Sequence, residues 1–277
     1  MEFGEIFSNA LKYPISDYQK LLILGVIFVV INLPNVLLGF AIHSRELSLV
    51  WIVVSLVLNL ITLGYGLSVI KGAIGLDDEI PDFDWVKNFV DGIKSFIVMF
   101  VYYLIPSIIV LLIGFNSLGS FLNAIPSTVF APINNITTPQ AMANVPAATW
   151  QQMFNSIPAE AWSTLATGLA ITAVVGIILF LIFGIFEIVA VCRLAKYDSI
   201  GKAFSFGEIF ENIKEIGFLK LIGFFIVLVI VSSIIGVITG LISGIPFVGM
   251  IIGYLVGKSY NLLFRSRAIG LLYSDVE

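Results

Sequence analysis

Long apolar runs without any charged residue dominate the chain. They lie at residues 21–42, 47–70, 95–115, 165–186 and 221–242. A helix needs about 20 predominantly apolar residues to cross a hydrocarbon core roughly 30 Å thick. The runs do not alternate polar with apolar residues, as the strands of a membrane barrel do. The pattern therefore predicts transmembrane helices.

A sixth apolar run covers residues 245–264 and contains one charge, Lys258. Its length and its regularly spaced glycines still favour a span, so we expect six transmembrane helices. The composition supports this, because 59% of the 277 residues are hydrophobic and 12% are charged. Soluble domains are nearer half apolar and a quarter charged. We therefore predict an all-α integral membrane bundle.

The basic residues fix the expected orientation of these six helices. Of the 14 Lys and Arg residues, all but Arg45 fall in the segments before, between and after the spans on one side. Cytoplasmic loops carry the excess of Lys and Arg. We therefore expect a multi-pass protein of the cell membrane, with its N- and C-termini cytoplasmic.

A short motif recurs along the chain. FGEIFSN at residues 3–9 returns as FGEIFEN at residues 206–212, with a looser copy, FDWVKNF, at residues 83–89. Helical spacing places the apolar residues of each copy on one face, and two apolar runs follow each copy. We predict one membrane domain, residues 1–277, built from three repeats of an interfacial helix plus a helical hairpin. The repeats cover about 1–76, 82–198 and 204–275.

The interfacial helices have two interpretations, which are membrane sensors or elbows that turn the chain into the next span. Their faces lack the Lys and Arg enrichment of lipid-sensing helices, which favours elbows. The second repeat also contains the long outer loop, residues 116–160, which has no Lys or Arg. A ligand- or partner-binding cap and an insertion without a specific role are both open for this loop.

Two series of glycines are spaced by four residues near the C-terminus. The first comprises Gly236, Gly240 and Gly244, and the second comprises Gly249, Gly253 and Gly257. Small residues at this spacing let helix backbones approach closely. We expect the two series to pack against each other within one hairpin. A seam between two copies of the chain is the alternative.

Three charged residues are predicted to lie inside or near the bundle. Glu187 lies six positions before Arg193, and Lys258 lies seven before Arg265. Charges at such depth tend to face the bundle and to pair. We predict a charge pair between Glu187 and Lys258, with Arg265 as another partner. A structural ion pair and a proton or substrate relay are both open.

No constellation of residues predicts catalysis. The chain has one His and one Cys, so an internal disulfide and a thiolate metal cage are excluded. Five acids at 77, 78, 79, 82 and 84 could supply oxygen ligands to a cation. We favour a solvated loop in which Asp82 caps the next helix. We expect no catalytic, cofactor or metal site, and the few scattered basic residues argue against nucleic acid.

Several short motifs resemble a known family. They are NALKYP at residues 9–14, PDFDW at 81–85, DGIK at 91–94, and YLVG at 254–257 before Arg265 and Ala268. With them the chain resembles Domain of Unknown Function 4013, polytopic membrane proteins found mostly in archaea and in some bacteria. The resemblance implies a prokaryotic cell-membrane setting. It implies no catalytic residues, because the family has no assigned activity.

Two classes of function follow from these features. The first, which we prefer, is a non-enzymatic protein that scaffolds, assembles or regulates other envelope components, with a membrane-protein partner or a second copy of itself. The second is a transporter or permease for a small solute or lipid-like molecule, since internal repeats and kinked spans suit a transport path. In both cases the lipid bilayer is a partner.

Overall fold

The computed structural model describes residues 1–39, 45–245 and 248–276, and every regular element within them is helical. The predicted all-α class is confirmed. In chain order the helices are α1 Phe3–Lys12, α2 Tyr18–Ile31, α3 Leu33–Gly39, α4 Arg45–Ile74, α5 Trp85–Asn123, α6 Pro139–Ala143, α7 Ala147–Ser156, α8 Ala159–Tyr197, α9 Ile200–Ala203, α10 Phe206–Ile216, α11 Phe218–Ser243, α12 Gly249–Ile252 and α13 Ser259–Tyr273.

Four of these helices are long and apolar enough to cross a membrane. They are α4 over Val50–Ile74, α5, α8 and α11, judged by length and composition in the described residues. A fifth crossing is counted if Phe3–Ile15 and Tyr18–Ile31, which meet at an angle of 79°, form one broken span. The described residues therefore contain several helices that are long and apolar enough to span a membrane, which is consistent with a membrane protein.

The first predicted span, residues 21–42, is interrupted, and its last residues lie outside the described part of the chain. Helix α2 ends at Ile31, and α3 begins after Asn32. Pro34 cannot donate a hydrogen bond to the carbonyl four residues earlier, that of Val30. The indole of Trp51 donates to that carbonyl instead, at 2.8 Å. The break is thus a consequence of the proline, and α4 supplies the missing donor.

Two of the three predicted interfacial helices are separate elements. Helix α1 ends at a turn that contains Pro14, and Asp17 caps α2 by accepting from the amides of Gln19 and Lys20. Helix α10 ends at Gly217, whose φ of 95° is outside the helical region. The third copy has no such break and forms the first turns of α5. Asp84 caps α5, because its carboxylate accepts from the amide of Lys87 at 3.0 Å. The expectation that Asp82 caps this helix is therefore wrong.

The sixth predicted span is divided into three segments. Helix α12 leads into a π-helical turn, Gly253–Lys258, and then into α13. Residues 246 and 247, at the start of the predicted span, lie outside the described residues. The side chain of Ser259 donates to the carbonyls of Leu255 and Val256, at 2.6 and 3.1 Å. A serine hydroxyl commonly bonds to the carbonyl one turn earlier in a helix.

The chain forms two compact units. Unit 1 comprises Met1–Tyr102 and Phe183–Glu277, and unit 2 comprises Tyr103–Ile182. In unit 1, α13 packs against α4, α1 and α2, and the π turn packs against α2 and α11. Its buried apolar cluster consists of Tyr13, Leu21, Leu24, Tyr65, Val69, Ile80 and Leu263.

Unit 2 contains the C-terminal part of α5, the N-terminal part of α8 and the loop between them. The loop folds into a 3-10 helix, Ser127–Ile133, followed by α6 and α7. Met153 of α7 is buried against Phe121, Ile125 and Val129. The loop therefore has a small apolar core of its own.

Candidate functional site

The predicted charge pair involves residues in quite different environments. Glu187 is half-buried on α8, whereas Lys258 and Arg265 are exposed. A long basic side chain can bury its stem along apolar surface while its charge reaches water, so neither cation requires a buried partner. The pairing of Glu187 with Lys258 or Arg265 stays a prediction.

The two glycine series differ in their surroundings. A Cβ added at Gly249, Gly253 or Gly257 would overlap atoms of α11, and these atoms belong to Ile242, Ser243 and Thr239. A Cβ at Gly236 or Gly240 would meet open space, and one at Gly244 would meet only carbonyls of its own helix. The second series thus lies close to α11, but the residues that it meets are not the glycines of the first series.

The acidic loop at residues 77–84 binds basic side chains. Asp78 forms an ion pair with Arg267, and Asp82 forms one with Lys20 at 2.9 Å. No group of acidic, His or Cys side chains that could hold a metal ion occurs in the described residues. The acids therefore act as partners for cations of neighbouring helices.

The first buried polar cluster surrounds Arg267 on α13, whose side chain is 1% exposed. Its Nε donates to Oδ1 of Asn9 at 2.9 Å. Its two terminal nitrogens donate to the carbonyl of Asp77 and to the carboxylate of Asp78. The guanidinium lies 4.7 Å from the ring centroid of Tyr13. One side chain therefore ties α13 to α1 and to the loop after α4.

The second cluster surrounds Arg193 on α8, which is 2% exposed. Its Nε donates to the carbonyl of Lys202 at 3.0 Å, and its Nη1 donates to Oδ1 of Asn212 at 2.6 Å. It also forms an ion pair with Glu208. The hydroxyl of Tyr273 donates to the same oxygen of Asn212, at 2.7 Å. This arginine ties the end of α8 to α10.

The two clusters share a pattern that sequence reasoning missed. Asn9 and Asn212 occupy the same position of the repeated motif, and each accepts from a buried arginine of another helix. Sequence analysis identified the motif but counted Arg193 and Arg267 only as indicators of orientation. The signal that could have found the clusters is the asparagine retained in both strong copies, because an apolar interfacial face does not require it.

A third polar cluster lies where α4, α5 and α8 meet within unit 1. Asp91 is buried and pairs with Lys94 at 3.0 Å and with Lys87 at 3.5 Å. Lys94 also donates to Asp198 at 2.6 Å. This hydrogen bond lowers the pKa of the Asp198 carboxyl below its usual value, and the charges of Lys71 and Lys87 act in the same direction. In this third cluster, several lysines take the place that one buried arginine has in each of the other two clusters.

A lysine lies near the start of each of three apolar helices. Each of these lysines contacts a segment of the chain that precedes or follows a copy of the motif. Lys20 of α2 contacts the carbonyl of Ile80 and pairs with Asp82. Lys94 of α5 pairs with Asp198, and Lys220 of α11 donates to the carbonyl of Met1 at 3.2 Å. Each of these helices is therefore fixed to the chain at its basic end.

Backbone contacts accompany the polar clusters. A Cβ at Gly64 of α4 would overlap the carbonyl of Asn88, and one at Gly92 of α5 would overlap that of Leu60. Likewise, Gly25 of α2 lies against the carbonyl of Leu255. These glycines are required because the facing backbones leave no room for a side chain.

An apolar groove lies beside the π turn. It encloses a cavity of about 350 Å³ and is lined by residues of α11, α12 and the π turn, with Leu11 and Tyr260 at one end. The Tyr260 hydroxyl donates to the carbonyl of Leu11 at 2.6 Å. The lining is almost wholly apolar, apart from Thr239 and Tyr260, and suits a hydrocarbon chain.

The polar clusters hold helices together, and their polar groups serve as donors and acceptors for one another.

No curated protein and no solved structure matches the chain. One family, described as "Protein of unknown function (DUF4013)", matches residues 47–244, which is more than half of the chain. This agrees with the resemblance found in the short motifs. The chain therefore belongs to the DUF4013 family.

Proposed function

We propose that this chain is a non-enzymatic membrane scaffold that holds or assembles other components of the cell envelope. The observation that carries the proposal is the pair of buried arginines, Arg193 and Arg267, each of which ties separate helices together. Breaking a buried charged network costs about 3–5 kcal/mol. Unit 1 would thus be a rigid platform at the basic end of the helices.

The proposal includes a topology of six crossings with both termini in the cytoplasm of a prokaryotic cell. With α1 at the interface, α2 and α3 would supply one crossing, and the segments from α12 to α13 another. The charge distribution supports the orientation, because all basic residues except Arg45 would lie inside. In a Cys192→Ser background, a cysteine at Ala141, which is exposed, should react with an impermeant reagent on intact cells. A cysteine at Ser205 should react only after lysis, and its reaction in intact cells would refute this topology.

The proposal also includes three structural repeats. The two arginine–asparagine pairs support it. Arg193 joins the last helix of the second repeat to the motif of the third, and Arg267 joins the last helix of the third repeat to the motif of the first. Lys20, Lys94 and Lys220 support it too, because each lies at the start of the first span of a repeat. Lys20 and Lys94 contact the junctions between repeats, and Lys220 contacts the carbonyl of Met1 at the beginning of the first repeat.

Exposed apolar faces would provide the docking surface of the scaffold. In unit 2, Ile108 and Leu112 of α5 and Ile171 and Ile178 of α8 are exposed. Lipid tails are as apolar as such side chains, so these faces accept either lipid or a membrane-protein partner. A second copy of the chain is one such partner.

Site-specific photocrosslinking in living cells tests the scaffold. A photoreactive residue at Ile171 or Ile178 should give a discrete adduct with another membrane protein or with a second copy. The matched control is the same residue at Ala161, which is buried in the core of the outer loop and should give no intermolecular adduct. Adducts with lipid alone at both exposed positions would refute the proposal.

The second candidate is a transporter for a lipid-like molecule. The observation that favours it is the apolar groove beside the π turn, since π-helical turns often mark functional positions. Its test is lipid movement between leaflets of reconstituted vesicles. A transporter should lose this activity in Val256→Trp, which fills the groove, and keep it in Val237→Trp, an exposed position that does not line it. Movement no faster than in protein-free vesicles would refute transport.

A further inference from the structure

The third polar cluster contains a small cleft that the arginine clusters lack. Its walls are Leu67, Ser68 and Lys71 from α4, Lys87 and Asp91 from α5, and Leu194, Ala195 and Asp198 at the end of α8. The enclosed cavity is about 10 Å³. A single water needs roughly this volume, so one oxygen atom of a ligand can enter the cleft while its other atoms remain outside.

The charges at this cleft are not balanced. Asp91 and Asp198 are already paired with Lys87 and Lys94. Lys71 is exposed, and no carboxylate of the described residues lies within ion-pairing distance of it. The lining holds two lysines and two aspartates, and Lys94 beside it pairs with both aspartates, so Lys71 is the lysine left without an ion pair. The cleft therefore favours an anion.

Buried donors beside the cleft also lack acceptors. Asn88 is 1% exposed, and its Oδ1 accepts from Ser68, which lines the cleft, at 3.3 Å. Its Nδ2 has no partner among the described residues, and neither has the hydroxyl of buried Ser95, on the same face of α5 as Asn88 and Asp91. An unpaired buried donor costs about 1–3 kcal/mol. A guest with oxygen acceptors would reduce that cost.

We propose that this cleft binds the oxygen of a phosphate group at the boundary of the inner leaflet. Lys71 would pair with the phosphate, and the wall of the cleft at Ser68, whose hydroxyl contacts Asn88, would receive one of its oxygens. Basic pockets between helices on the cytoplasmic side are typical sites for phosphate-bearing lipid headgroups. The phosphate could come from an anionic lipid or from free phosphate. The proposal needs no partner protein, so it is independent of the scaffold role.

The test measures binding to the purified full chain in neutral detergent. Two probes are used, which are short-chain phosphatidylglycerol and inorganic phosphate, at constant ionic strength. Each is titrated while the midpoint of thermal unfolding is followed, because a ligand of the folded state raises that midpoint. Lys71→Met should weaken binding at least about tenfold, equivalent to the loss of about 1.4 kcal/mol, and Lys71→Arg should retain it.

The matched control is Lys214→Met, which removes an exposed lysine of α10 far along the sequence from the cleft and should leave binding within about twofold. Binding of phosphatidylglycerol alone would support a lipid headgroup as the source. Binding of inorganic phosphate would support a free oxyanion. Binding of neither probe, or equal weakening by Lys71→Met and Lys214→Met, would overturn the proposal.

Discussion

Units 1 and 2 contain similar apolar helices but are held together by different means. Unit 1 has buried arginines, several ion pairs and glycines in contact with facing backbones. Unit 2 has one charged residue, Glu160, and a small apolar core. Its polar side chains bond mostly to their own helix, as Thr172 does to the carbonyl of Gly168 at 2.7 Å.

The comparison shows which forces select one arrangement of helices in a membrane. Apolar side chains gain little by leaving lipid for another apolar surface, so they do not by themselves choose a neighbour. Polar partners and close backbone contacts are specific to one neighbour and one register. We therefore expect the arrangement of unit 1 to depend on a few residues, and that of unit 2 to depend on the packing of its loop.

The strongest test of this contrast is the loss of Arg267. Replacing it with Met removes the donor for Asn9, Asp77 and Asp78, and we expect unfolding in detergent to become easier by about 3–5 kcal/mol. The control is Arg265→Met, which removes an exposed arginine two residues away and should change stability by about 0.5 kcal/mol or less. Denaturant titration followed by tryptophan fluorescence measures both. Equal stability of the two variants would contradict a special role for the buried arginine.

A core substitution in unit 2 should have a more local effect. Met153→Ala leaves a cavity against Phe121, Ile125 and Val129, which typically costs about 2–5 kcal/mol. We expect faster amide hydrogen exchange in residues 127–157 and unchanged exchange in α13. Met142→Ala, at an exposed position of the same loop, is the control and should leave exchange unaltered. Faster exchange in α13 as well would mean that the two units do not depend on separate contacts.

The amino-acid pattern predicts the helices well because a charge-free apolar run has few alternatives in a membrane protein. It does not predict every feature of the places where they break. Pro34 accounts for the break after Ile31, but the donor to the carbonyl of Val30, Trp51 of α4, is not evident from the pattern. The same holds for the contact of Gly253 and Gly257 in the π turn with α11. These are contacts between separate helices, which helical periodicity does not contain.

The candidate site was less predictable for the same reason. Lys258 lies within an apolar run and Glu187 directly after one, so both were candidates, whereas Arg193 and Arg267 lie farther beyond such runs and resemble ordinary interfacial cations. Their burial depends on Asn9 and Asn212, which come from other parts of the chain. In the sequence, only the asparagine of the repeated motif indicates a contact with a buried arginine.

Backbone contact in unit 1 should be sensitive to a single methyl group. Gly64→Ala would place a Cβ onto the carbonyl of Asn88, and overpacking of this kind typically costs about 1–3 kcal/mol. Gly236→Ala adds the same atom where nothing lies within reach, and it should be neutral or slightly stabilising because Ala favours helix over Gly. Thermal unfolding in detergent compares them. A Gly64→Ala protein as stable as Gly236→Ala would contradict close contact between α4 and α5.

The smallest expected effect is a loss of folding stability at low pH, and it tests whether ion pairs stabilise unit 1. Lys94 donates a hydrogen bond to Asp198 and lowers the pKa of its carboxyl in the folded protein. A depressed pKa contributes stability that is present above the unfolded pKa, about 3.9, and is lost as the pH falls through the folded value. Stability of the parent protein should therefore fall below about pH 4 by more than that of Asp198→Asn. The difference should be small because Asp198 is largely exposed. Lys94→Met should remove the same component of the pH dependence, whereas parallel curves for the parent and Asp198→Asn from pH 6 to pH 3 would show that this pair contributes nothing to folding.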